Sequence, residues 1–338
     1  MTRTQHSGGR AEHSPSLLEV VPWNYGYAHS WALRWLIENA ASRDAILGAL
    51  LPDDAPPWTI EGSVDREHAV PGARADLACN LVDGRDRAVA LAVETKVADP
   101  IKRVQLERYR DEGFETVLYV PGLTGLLFEP NGAVAGERWV TGRDVAAALE
   151  PIDLPWIISS YLDTVAGEAS RMDDARAVAR GEIDAFDHDG CAPAKDLADA
   201  AWIVEVAYAM RAGGAEDVRI RSERNDRGIF WAGAHLVPAG ITEDAGMWID
   251  IVADIRSNRR AVVIKAGGQP AGRMACYEAA IAAGPPQPAD GWTAGRCTTK
   301  PASFTVWRID ATDKKASETA QLALGARAFM TDLADPTR

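Results

Sequence analysis

Between Ala73 and Tyr109 the sequence reads ARADLACNLVDGRDRAVALAVETKVADPIKRVQLERY, and two acids and a lysine within it are spaced for chemistry. The apolar runs Ala75 to Val82 and Ala88 to Val97 flank the polar run Asp83-Gly84-Arg85-Asp86-Arg87, which reads as a β-hairpin. A five-residue loop centred on Arg85 pairs residues whose numbers sum to 170, so Asp76 falls opposite Glu94. Opposed residues on antiparallel strands point to one face with Cβ atoms about 4.5–5.5 Å apart. Lys96 follows Glu94 by two residues and shares that face, because strand side chains alternate. Ala78, Ala90 and Ala92 also lie there and leave room above the sheet, whereas Val89, Leu91, Val93 and Val97 point the other way, into a core. Two converging carboxylates with an open side suit Mg²⁺ or Mn²⁺, which keep waters and take one or two protein carboxylates plus substrate phosphate. Such a metal polarises a phosphoryl oxygen and acidifies a bound water, and a neighbouring ammonium orients that water or offsets transition-state charge. The chemistry implied is phosphodiester hydrolysis.

The elements around these residues follow from periodicity. Apolar residues from Tyr27 to Leu51 recur at helical steps, as one helix or two short ones, stopped by Pro52 and Pro56-Pro57. A strand from Trp58 to about Val70 precedes the hairpin, a helix runs from about Ile101 to Glu112, and a short strand spans Thr116 to Val120. A helix over Arg143 to Leu149 ends this part. Beyond it lie a helix at Leu197 to Ala212 and strands at Asp217–Arg221 and Ile229–Ala234. A second hairpin joins Met247–Ile255 to Ala261–Ala266, and helices at Ala271–Ala283 and Ser317–Leu333 flank a strand at Ser303–Ile309.

Three pieces of this sequence resemble the PD-(D/E)xK nuclease superfamily, which has the restriction-endonuclease-like fold. Arg74-Ala75-Asp76-Leu77 is similar to the Arg-x-Asp-Leu form of its first motif, Glu94-Thr95-Lys96 to its ExK motif, and Gln105-Leu106-Glu107-Arg108-Tyr109 to its QxxxY motif. The helix, three strands, helix, strand order is similar as well. The resemblance covers roughly Tyr27 to Pro121, about a third of the chain. It implies Asp76 and Glu94 as metal ligands with the Thr95 carbonyl, and Lys96 as the catalytic lysine. Gln105, Tyr109 and Arg74 then support the site or the substrate backbone. Many relatives carry an acid on the first helix, and Asn24 to Ser30 here holds none; Glu67, late on the preceding strand, is the reserve ligand, ahead of Glu19 and Glu38. Taken alone, ExK is a solvated or salt-bridged strand face and Gln105 with Tyr109 a surface pair one helical turn apart.

The expected fold is α/β: a restriction-endonuclease-like core of helix, three-stranded antiparallel meander, helix and strand, then a C-terminal α+β domain. Residues 1–16 form a mobile tail, 17–150 the nuclease-like domain, 151–195 an acidic linker or extension, and 196–338 a domain for substrate selection or dimerisation. The expected function is a metal-dependent nuclease on DNA, with Mg²⁺ or Mn²⁺ as cofactor and a homodimer compatible with cutting two strands. The alternatives are a catalytically silent binding or assembly protein and a hydrolase of RNA or nucleotides. Because Lys96 faces a surface, Lys96→Ala is expected to leave the fold intact.

Composition bounds these readings. At 338 residues, with 47% hydrophobic and 25% charged, the chain has room for about two cores. Its 36 Lys and Arg against 49 Asp and Glu give a net charge of −13, which argues against indiscriminate nucleic-acid binding. Contacts to DNA must be local, for which Lys102, Arg103, Arg108 and Arg110, then Arg219, Arg221, Arg224 and Arg227, then Arg256, Arg259 and Arg260 are the basic clusters. Cys79, Cys191, Cys276 and Cys297 form no CxxC pair and read as reduced thiols. Neither a membrane span nor a signal-peptide core is visible, so a cytoplasmic protein without membrane contact is expected. Asp187-His188-Asp189 reads as a solvated loop rather than a metal site, and His29 as a packing residue rather than half of a hydrolase dyad.

Overall fold

The computed structural model describes residues 26–51, 56–97, 103–122, 138–216, 218–224, 230–236, 247–254, 259–267, 270–295 and 303–334. The 1–16 tail, Glu19, Lys102, Arg227, Arg256 and Cys297 lie outside these.

The first apolar stretch folds as two helices, α1 (Gly26–Glu38) and α2 (Arg43–Leu50). The break has local causes. Asn39 accepts the Ala41 amide on its side chain at 2.9 Å, and the buried Ser42 hydroxyl donates to the Leu36 carbonyl at 2.8 Å. Arg43 donates to the Ile37 carbonyl at 3.0 Å, so the orphan carbonyls ending α1 are satisfied by side chains rather than by more helix.

Strands β1 (Thr59–Val70), β2 (Ala73–Val82) and β3 (Ala88–Thr95) form an antiparallel meander. Pro71-Gly72 closes the first turn, with Gly72 at φ +71°, a conformation that side chains resist. In the second turn the buried Asp83 accepts the Arg85 and Arg87 amides at 2.8 and 2.9 Å. The resulting register pairs Leu77 with Val93 through Val82 with Ala88, as a loop centred on Arg85 requires. After β3, helix α3 (Arg103–Asp111) leads to β4 (Glu115–Val120), which lies parallel to β3. A four-residue strand, β5 (Arg138–Thr141), then adds parallel to β4, giving a mixed sheet in chain order β1-β2-β3-β4-β5. Helix α4 (Gly142–Leu149) begins with a capping box between Thr141 and Asp144.

The two faces of this sheet divide as the alternation dictates. Val89, Leu91, Val93 and Val97 enter a core shared with α1, α2 and α4. On the other face Ala92 packs with Leu106 and Tyr109 of α3 and with Leu118 and Val120 of β4. The room above Ala92 is therefore filled by a helix.

The 151–195 segment, expected as a linker, is mostly a 25-residue helix, α5 (Trp156–Arg180). Its buried residues Ile158, Tyr161, Leu162, Val165, Glu168, Arg171, Ala175 and Ala179 recur at helical steps, but the stripe includes an acid and a base. Ile158 to Val165 belong to the first core and Ala175 and Ala179 to a second, so the helix is shared by both. The Asp187–Asp189 stretch is a loop against it: Arg171 takes the Asp187 carbonyl at 3.0 Å, and Asp187 accepts the Asp189 amide at 2.9 Å.

The second core lies between helices and a six-stranded antiparallel sheet. Helix α6 (Ala194–Ala212) precedes β6 (Arg219–Arg224), β7 (Phe230–Leu236), β8 (Met247–Asp254) and β9 (Arg259–Gly267). Then come α7 (Pro270–Ala282), β10 (Trp292–Ala294), β11 (Ser303–Asp310) and α8 (Ala316–Ala334). The sheet order is β10-β11-β9-β8-β7-β6. The α/β character, the Asp83–Arg87 hairpin and the β8–β9 hairpin agree with the sequence reading; β5, α5 and β10 were not in it. No helix among the described residues is long and apolar enough to cross a membrane. Cys79 is a buried free thiol.

Candidate active site

The β2–β3 register, continued one step past Leu77 and Val93, sets Asp76 against Glu94. Here β3 leaves β2: the Lys96 amide bonds to the Tyr119 carbonyl of β4 at 2.9 Å. The Thr95 amide, which points back toward β2, donates to Asp76 Oδ2 at 2.7 Å. A side-chain carboxylate thus replaces a backbone acceptor where the ladder ends.

Glu94 is only 2% exposed, and both of its oxygens are engaged. Lys96 Nζ donates to Oε1 at 2.5 Å and the Tyr109 hydroxyl lies 2.8 Å from Oε2. Lys96 itself has a side chain 15% exposed, so it is a half-buried ion-pair member rather than a surface lysine. The expectation that Lys96→Ala spares the fold is therefore corrected: truncation strands the Glu94 charge in a dry setting.

Tyr109 is fully buried in α3 and its hydroxyl meets three groups. Besides Glu94 they are the Arg74 carbonyl at 2.6 Å and Gln105 Nε2 at 2.6 Å. Gln105 also reaches the Arg74 carbonyl at 3.3 Å. Burial, and then the neighbouring Glu94 charge, push the phenol pKa up, so Tyr109 keeps its proton and serves as a fixed donor. Gln105 and Tyr109 are not a detached surface pair; they tie α3 to the end of β2 and to Glu94. Tyr109→Phe is expected to lower stability by about 1–2 kcal/mol, because a buried carboxylate oxygen loses its donor. Urea denaturation checks this, and a variant as stable as the parent would mean that Glu94 does not need the phenol.

Arg74 contributes its carbonyl. Its exposed guanidinium pairs with Glu67 at 2.7 Å instead. Glu67 stands opposite Asp76 on the other side of β2, between the pairs Arg66–Leu77 and His68–Ala75, so three carboxylates occupy one row across the sheet. However, Glu67 has φ +55° and is held by Arg74, and the row does not close into a metal cage. Among the described residues no group of three or more His, Cys, Asp and Glu is arranged to hold a metal ion. The Thr95 carbonyl abuts the first residue of α1, where a Cβ on Gly26 would lie 3.6 Å from it. The first turn of α1 carries no acid.

Asp76 is electrostatically loaded. Burial and the adjacent Glu94 raise its pKa from 3.8 to about 7, against the opposing pull of the Thr95 amide and Lys96. The folded chain therefore favours a protonated Asp76 where the unfolded chain ionises it. Its contribution to stability is fully present below about pH 4 and is lost as pH rises to about 7. In EDTA at pH 8, Asp76→Asn is expected to be more stable than the parent by roughly 1–3 kcal/mol, with the gain vanishing near pH 4. Thermal melts across that range test it; a gain independent of pH would refute the titration.

The structure thus brings together Asp76, Glu94, Lys96, Tyr109, Gln105 and the Arg74 carbonyl, and leaves Glu67 on an ion pair of its own. The sequence reading missed the Thr95 amide as a partner of Asp76, because backbone donors have no signature in residue type. His29 is a packing residue: it is fully buried, with Nδ1 3.0 Å from the Tyr161 hydroxyl, which lies 2.8 Å from that of Tyr119. Compared with known proteins, the chain matches no family model, no curated protein and no solved structure.

Proposed function

We propose that the chain is a metal-dependent nuclease that hydrolyses phosphodiester bonds of DNA, built on a restriction-endonuclease-like core, with Asp76, Glu94 and Lys96 as its active site. The observation that carries this reading is the opposition of Asp76 and Glu94 with Lys96 bonded to Glu94. Asp76, whose pKa burial and then the neighbouring Glu94 raise to about 7, gains from a divalent cation beside the pair. The donor set fits: two carboxylates, with the Thr95 carbonyl as a further oxygen, suit Mg²⁺ or Mn²⁺. Such an ion, when bound, supplies a Lewis acid for the phosphoryl oxygen and an acidified water.

The chain's own groups do the rest. Tyr109, braced by Gln105 and the Arg74 carbonyl, fixes one oxygen of Glu94, and the Thr95 amide fixes one oxygen of Asp76. Lys96, bonded to Glu94 Oε1, would orient the attacking water or offset charge on the phosphorane-like transition state. Circular plasmid, linear duplex and single-stranded DNA incubated with Mg²⁺, Mn²⁺ or EDTA test the proposal. Cleavage is expected with the metals and none with EDTA; inactivity on every substrate would overturn it.

One observation favours a second reading, a catalytically silent binding or assembly protein. Both oxygens of Glu94 are already satisfied within the chain, and no third acid joins the pair among the described residues. Calorimetric titration with Mn²⁺ separates the two, since only the enzyme requires binding that depends on Asp76 and Glu94.

A further inference from the structure

Away from these carboxylates, the end of α5, the start of α6 and the Thr312–Lys315 turn enclose a cleft of about 200 Å³. Its room comes from small residues, since Ala175 and Ala179 of α5 face Ala198 of α6 across it. Its walls are fixed. Buried Trp202 donates its indole N–H to the Lys314 carbonyl at 3.2 Å, which holds the turn against α6. Arg260 at the start of β9 stacks over the Trp202 ring at 5.0 Å and pairs with Asp199 at 3.0 Å, while its amide donates to the Thr312 hydroxyl oxygen at 3.1 Å.

The charges around the cleft are unusual for a chain of net charge −13. Three cations, Arg260, Lys314 and Lys315, line it with one acid, Asp313, and of the three only Arg260 is paired, with Asp199. Neither lysine has a carboxylate partner among the described residues. Lys315 is exposed, and its chain passes Gly181, where a Cβ would come within 3.0 Å of its Nζ. An anion bound between the two lysines would offset their mutual repulsion.

We infer that this cleft binds a small phosphomonoester, with the phosphate on Lys314, Lys315 and Arg260 and the organic body against the alanine wall. A tetrahedral dianion matches several separate donors, to which Thr312 adds a hydroxyl. The volume suits a compact ester such as a sugar phosphate, below the usual span of about 300–1,000 Å³ for larger ligands. The site is independent of the nuclease reading and stands if that reading fails.

The test uses the full chain in EDTA and low salt, titrated calorimetrically with ribose 5-phosphate, inorganic phosphate, sulfate and ribose. Ribose 5-phosphate is expected to bind, inorganic phosphate more weakly, and ribose not at all. Lys314→Ala with Lys315→Ala should weaken binding at least about tenfold. Ala198→Leu, which keeps every charge and fills the cleft, should weaken the ester more than inorganic phosphate. Melting of each unliganded variant near the parent temperature establishes that it is folded; a double variant that melts early is replaced by Lys315→Gln. No binding of ribose 5-phosphate up to about 10 mM overturns the inference, as does binding indifferent to these substitutions or matched by sulfate.

Discussion

Glu94→Gln is expected to reduce metal-dependent DNA cleavage by at least about 10³-fold while leaving a folded protein. The substitution is nearly isosteric, so it opens no cavity in the dry pocket between β3 and α3. The amide oxygen still accepts from Tyr109 or Lys96. What disappears is the negative charge, and with it half of the pair that draws a divalent cation. A loss of that size corresponds to about 4 kcal/mol of transition-state stabilisation, more than a lost hydrogen bond supplies. Plasmid cleavage with Mg²⁺ and Mn²⁺, run beside calorimetric Mn²⁺ binding, reads both effects together. If the variant cuts within tenfold of the parent, Asp76 and Glu94 are not the catalytic pair. If it loses Mn²⁺ binding and the parent never cleaves, the carboxylates hold a structural ion instead.

Arg171→Ala should produce the largest loss of stability, about 3–5 kcal/mol in urea denaturation. Arg171 and Glu168 form an ion pair on the buried stripe of α5, with side chains 7% and 3% exposed. Together they replace water for the loop before α6. Arg171 donates to the carbonyls of Asp187, His188 and Ala192, and Glu168 accepts the amides of Cys191 and Ala192. Gly190 passes so close that a Cβ there would overlap the guanidinium, which leaves no room for the loop to repack. Truncating Arg171 strands a buried carboxylate and three backbone oxygens at once. Glu168→Gln with Arg171→Met should recover part of the loss, because the unpaired charge is then gone. A single variant within about 1 kcal/mol of the parent would mean that water enters and satisfies the loop.

The same two residues explain a gap between sequence and structure. An acid and a base interrupt the apolar stripe of α5, so hydropathy reads it as a linker, and only the loop that they bind explains why they are inside. Strands β5 and β10, four and three residues long, are too short for a period-two signal; the edges of their sheets define them. By contrast the β2–β3 register was legible from residue order. A five-residue polar loop fixes which residues oppose, and alternation fixes which face they share.

Sequence by itself thus determined the α/β class, the hairpin that opposes Asp76 and Glu94, and the face on which Lys96 joins them. These depend on neighbours along the chain and on one turn. Tertiary structure alone decided how dry that face is. Helix α3 closes over Ala92, Tyr109 reaches Glu94, and Lys96 becomes a half-buried partner rather than a surface charge. It also decided that Glu67 turns to Arg74 and that the Thr95 amide holds Asp76. Desolvation and long-range hydrogen bonds depend on which remote segments pack together, and residue type at one position does not encode its distant neighbours.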